Sequence, residues 1–87
     1  MRLVLTNIKS VPKDKLVNAL CDLFYVYKKS YWENKYDEEI GSDKITIVES
    51  TDAVYMMHKQ IYVREHLKQL NKVWNSNISL KVEYNEN

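Results

Sequence analysis

One glycine, one proline and one cysteine occur in 87 residues, and each shortage excludes a class of chemistry. A single glycine, Gly41, leaves no dinucleotide fingerprint, phosphate loop or nucleophile elbow, because each needs several glycines at fixed spacing. It also leaves no glycine-rich linker or collagen-like repeat. A single cysteine, Cys21, excludes an internal disulfide framework and any CxxC metal knuckle. Apolar runs hardly exceed Leu3-Val4-Leu5, so neither a membrane span nor a secretory signal is expected. The expectation is a soluble cytoplasmic protein of one domain, residues 1–84, with a frayed tail over 85–87 and no cofactor.

What is present is 45% hydrophobic and 29% charged, with 13 Lys and Arg against 12 Asp and Glu. The net charge of +1 conceals an uneven distribution. Residues 33–43 hold Glu33, Asp37, Glu38, Glu39 and Asp43 against Lys35, a local −4, which leaves +5 on the rest. Such a chain can offer a basic face to phosphates or an acidic face to a cationic partner. The abundance of Lys, Asn and Tyr suggests an AT-rich gene, such as that of a phage or a low-GC bacterium.

Residues 2–8, RLVLTNI, are aliphatic and β-branched enough for a buried strand. Ser10 and Pro12 mark a helix start. Leu16, Leu20, Leu23, Tyr27 and Tyr31 then recur at spacings of three and four, which predicts a helix of roughly five turns. Over 33–43 the pattern is ambiguous. Gly41-Ser42-Asp43 is turn chemistry, and Ile45 and Ile47 alternate with Thr46 and Val48, so a polar strand ending near Ile40 is expected to form a hairpin with residues 44–49.

Ser50 or Thr51 is expected to cap a second helix, with Asp52 in its first turn. Its apolar phase changes: Ala53, Val54, Met57 and Ile61 share one side, whereas Val63, Leu67, Leu70 and Trp74 lie about 100° away. Either the helix bends near 61–64 or it is covered on two sides, and the second case implies a partner surface. Ile78, Leu80, Val82 and Tyr84 alternate strictly with Ser79, Lys81 and Glu83, as a half-buried strand does. With the first strand and strand 44–49 central and the last strand at an edge, the predicted fold class is α+β, a ferredoxin-like βαββαβ sandwich with two helices on one face of a small sheet.

At this level the chain resembles an RNA recognition motif. Leu3-Val4-Leu5-Thr6-Asn7-Ile8 resembles the family's first-strand motif, Lys44 to Ala53 its third strand leading into the second helix, and Leu80-Lys81-Val82-Glu83-Tyr84 its last strand. Those domains stack bases on sheet aromatics, but here the corresponding positions are Val4, Ile45 and Ile47. The resemblance points Ile45 and Ile47 outward, whereas hydrophobicity buries them and exposes Thr46 and Val48. A slip of one residue separates the two readings.

His58, Tyr62 and His66 share one helical stripe, but histidines eight residues apart stand about 12 Å apart along the axis, too far to share a metal ion. Cys21 has no nearby base to activate it. The acidic residues 37–43 lack the spacing of a calcium loop. With no nucleophile pair, metal cluster or phosphate loop, a non-catalytic binding protein is expected. One reading is RNA association through the basic residues Lys9, Lys59, Arg64, Lys68 and Lys72. The alternative is an inhibitor or adaptor, phage-encoded and acting on a host protein, that engages it through Tyr25, Trp32, Asp37, Glu38 and Glu39 and forms a homodimer in one variant.

Overall fold

A computed structural model describes residues 1–24 and 28–84. The elements are β1 (Arg2–Thr6), α1 (Lys13–Phe24), α2 (Lys29–Glu39), a single 3₁₀ turn (Ile40–Ser42), β2 (Lys44–Glu49), α3 (Ala53–Trp74) and β3 (Ser79–Glu83). The three strands form an antiparallel sheet in the order β2-β1-β3. The α+β class and the central position of β1 agree with expectation. The predicted hairpin does not form: residues 33–39 are helical, and β2 becomes a sheet edge rather than a central strand.

The helix over 29–39 follows from a period in its own sequence. Trp32, Tyr36 and Ile40 stand four residues apart and turn together onto the hydrophobic core. Trp32 is the anchor at 2% exposure, its ring 5.6 Å from Phe24 and 4.9 Å edge-on from Tyr31. No side chain caps the N-terminus at Lys28 and no acid sits in the first turn, so tertiary burial rather than capping holds α2. The expected five-turn helix is accordingly two shorter ones, and Tyr31, placed on its stripe by periodicity, is half exposed. Tyr27 of that stripe and the tail over 85–87 lie outside the described residues.

α2 lies against β2, and the contact solves the problem of an open sheet edge. The Thr46 main-chain N–H donates to Glu39 Oε2 at 2.9 Å and its hydroxyl to Oε1 at 2.7 Å, so one carboxylate stands in for a neighbouring strand. Burial pushes the Glu39 carboxyl up, but the two Thr46 hydrogen bonds, with Lys35 and Lys44 nearby, leave it below its ordinary value. A group with a lowered native value stabilises the fold fully above its unfolded value, and loses that contribution as pH falls through the native one. Glu39→Gln is therefore expected to cost about 1–2 kcal/mol near neutral pH. Urea melts at falling pH check this: the gap between the two proteins should close in acid.

The register of β2 is settled by a bulge. Leu3 pairs with Val48 but Val4 pairs with Thr46, so Ile47 is the extra residue. Ile45, Ile47 and Val48 consequently all join the core, while Thr46 turns to the opposite face and Glu39. Hydrophobicity was right for the two isoleucines and wrong for Thr46 and Val48: the bulge adds Val48 to the core, and Thr46 is buried on the other face where Glu39 meets it.

Left-handed backbone falls not on Gly41 but on Asn7, Asp43 and Asn75 (φ 61°, 54° and 52°). Each short polar side chain tolerates that conformation, and Asp43 Oδ1 also accepts the Lys9 N–H at 2.8 Å. Asp52, rather than Ser50 or Thr51, caps α3 by accepting from the Val54 and Tyr55 N–H groups. At the other end the Asn71 carboxamide receives the Ile78 N–H (2.9 Å) and the Ser76 hydroxyl (2.8 Å) and donates to the Ile78 carbonyl (3.0 Å). Asn71→Ala should cost about 2–3 kcal/mol, measured by urea unfolding, since it strands two half-buried main-chain groups.

Candidate binding surface

α3 is one continuous helix of 22 residues, so the change of apolar phase is not resolved by a bend. Its inward stripe of Met56, Val63 and Leu67 is buried, with Leu70 and Trp74 half-buried beside it. The other apolar set remains in solvent: Val54 is 61%, Met57 52% and Ile61 58% exposed. Rotation of about 100° per residue carries Val54, Met57, Ile61, Arg64, Lys68 and Lys72 into one band within about 80° of arc. All six are exposed. The band is apolar along the first half of the helix and basic along the second.

The expected nucleic-acid residues are divided by this geometry. Arg64, Lys68 and Lys72 share the outer band, where Lys68 stands 3.8 Å from Glu65. Lys59 turns the other way, its Nζ 5.5–5.8 Å from the ring centres of Phe24, Tyr55 and Tyr62. Lys9 lies on the loop after β1. Only three of the five therefore form a common stripe.

The expected protein-contact residues fare differently. Trp32 is a core residue and offers no exposed ring, because helix formation over 29–39 turns it inward. Glu39 is engaged by Thr46. Asp37 is exposed but paired with Lys13 at 2.8 Å, and Glu38 is exposed. That contact with Asp37 holds the Lys13 amine above its usual value. Tyr25 lies outside the described residues.

Two further surfaces flank α3. Between α1 and α3 runs a groove of about 650 Å³ with Leu70, Val73 and Trp74 on one wall and Ala19 and Leu23 on the other. Tyr62 crosses it to donate its hydroxyl to the Leu23 carbonyl at 2.9 Å, satisfying one of the last acceptors of α1. His66 packs on Tyr62, with ring centres 4.4 Å apart. The helical stripe of His58, Tyr62 and His66 is thus part of the helix surface, and among the described residues no His, Cys, Asp and Glu cluster could hold a metal ion. Cys21 is half-buried against the core.

The sheet face opposite the core carries charge instead of rings. Glu83 forms ion pairs with Arg2 and Lys44, each at 3.6 Å, and Val4 is fully buried between the flanking strands. A base has no aromatic platform there.

Among the described residues no helix is long and apolar enough to cross a membrane. No protein-family model, curated protein or solved structure matches the chain.

Proposed function

We propose that this chain is a small non-catalytic binding protein that acts by docking onto another protein through the outer band of α3. The single observation that carries the reading is the exposed row Val54, Met57 and Ile61 on a helix that had the choice of bending to bury it. Leaving three large apolar side chains half or more exposed in one row costs solvation, and such rows mark contact surfaces. The basic continuation, Arg64, Lys68 and Lys72, selects a partner whose apolar patch is bordered by carboxylates. The scaffold is a variant of the ferredoxin-like plan in which β1, β2 and β3 take the places of the first, third and fourth strands and α2 fills the place of the second.

A second reading, RNA association, is favoured by the same three basic residues. They supply phosphate contacts without a stacking platform, so that binding would be weakly selective and steeply salt-dependent.

Affinity purification from the cells that make the protein, after nuclease treatment, separates the two. A protein retained by the wild type and lost with Met57→Glu/Ile61→Glu supports docking through α3. Retention of nucleic acid alone, lost with Lys68→Glu/Lys72→Glu and not with the apolar variant, would establish the RNA reading instead.

A further inference from the structure

The two edges of the sheet are finished differently. On β2 the outward N–H of Thr46 is taken by Glu39, and α2 lies alongside. On β3 only the approach to the strand is closed: the Asn71 carboxamide occupies both the N–H and the C=O of Ile78, as a neighbouring strand would. Main-chain groups alternate in direction along a strand, so those of Leu80 and Val82 point to the same outer side as those of Ile78. Lys81, paired with Val4, points its own inward to β1. Among the described residues no hydrogen bond reaches the outer N–H or C=O of Leu80 or Val82.

Beside this edge lies a groove of about 360 Å³ between α3 and β3, whose lining includes Leu67 and Leu80 with Arg64 and Lys68 at its rim. An open ladder of alternating donors and acceptors, an apolar floor and a basic wall therefore meet in one place. We propose that an extended, acidic segment of a partner protein adds to the outer edge of β3 as a fourth strand. Its main chain pairs with Leu80 and Val82, and the alternate side chains that face α3 are apolar where they enter the groove and carboxylates where they meet Arg64 and Lys68. Asn71, already bonded to Ile78, marks where the added strand ends.

Charge selects the occupant. A second copy adding its own β3 brings one carboxylate, Glu83, which Arg2 and Lys44 already hold, and so supplies no free acid to Arg64 and Lys68. A nucleic acid could neutralise Arg64 and Lys68 but brings no peptide ladder to Leu80 and Val82. The proposal rests on the reading of the chain as a protein-binding module and names the form in which the partner is held.

The test is a titration of the ¹⁵N-labelled full chain with a peptide of about eight residues in which valine and glutamate take turns at every second position, on one face of the strand, with threonine between them. Three controls accompany it: the same peptide with lysine for glutamate, the acidic peptide N-methylated on the main-chain nitrogens of one edge, and a single-stranded oligouridylate. The acidic peptide should shift the Leu80 and Val82 amides and slow their hydrogen exchange at least about tenfold. Lysine for glutamate, N-methylation, and Arg64→Glu/Lys68→Glu in the protein should each weaken binding at least about tenfold. Unmoved Leu80 and Val82 amides, or equal binding by the N-methylated peptide, would overturn strand addition. Shifts confined to Met57 and Ile61 would do so while leaving docking through α3 intact, whereas shifts at Arg64 and Lys68 caused by oligouridylate alone would remove both.

Discussion

Trp32→Ala is expected to cost about 3–5 kcal/mol and to lower the melting midpoint by about 15–30 °C. A buried tryptophan removes about 150–250 Å² from water, worth roughly 4–6 kcal/mol at about 25 cal/mol/Å². A domain of this size holds only about 5–15 kcal/mol in total, so the variant sits near the limit of folding. The loss has a definite route. α2 has no capping side chain at its N-terminus, and Trp32 is its one fully buried residue, with Tyr36 half-buried beside it. Without the Trp32 ring, Glu39 is no longer held against Thr46 and the edge of β2 opens to solvent. Urea and thermal melts check the magnitude, and Trp32→Phe, which keeps a ring beside Phe24, should cost appreciably less. A midpoint that falls by only a few degrees in Trp32→Ala would show that α2 is held by something else.

The second large effect concerns binding with stability unchanged. Met57 and Ile61 are each more than half exposed, so replacing both by glutamate removes no core contact and keeps residues that suit a helix. The melting midpoint should move by no more than about 2 °C. Affinity for a docked protein should nevertheless fall at least about 100-fold, because an apolar anchor is replaced by a charge that must be buried on binding. Arg64→Glu/Lys68→Glu should act differently, weakening binding about tenfold at low salt and much less at high salt, as rim charges do.

Much of this surface was legible before the fold was known, because the apolar phase of residues 53–74 divides into two sets whatever the tertiary structure. Only the structure decides between a bend and an exposed band, since that choice depends on what covers the helix. β1, the start of α1 and β3 were equally readable, each from a local period and local turn chemistry. The segment over 29–42 was not. Its charges and the Gly41-Ser42-Asp43 turn suggest a polar strand, while the four-residue spacing of Trp32, Tyr36 and Ile40 that favours a helix is only three residues long and gains its energy from a pocket made by distant elements. The same limit applies to the bulge at Ile47, which exists only relative to β1, and to Asn71, a polar residue among apolar positions whose three partners lie in the next loop. The open main-chain edge at Leu80 and Val82 follows from strand order, and no side-chain pattern announces it.

The role of α3 is tested most directly by titrating the retained partner, purified, against the wild-type chain and Met57→Glu/Ile61→Glu, with the melting midpoint of each recorded beside it. If the outer band of α3 is the docking surface, the dissociation constant rises at least about 100-fold while the midpoints agree within about 2 °C. Equal affinity of the two proteins, with both fully folded, would contradict it.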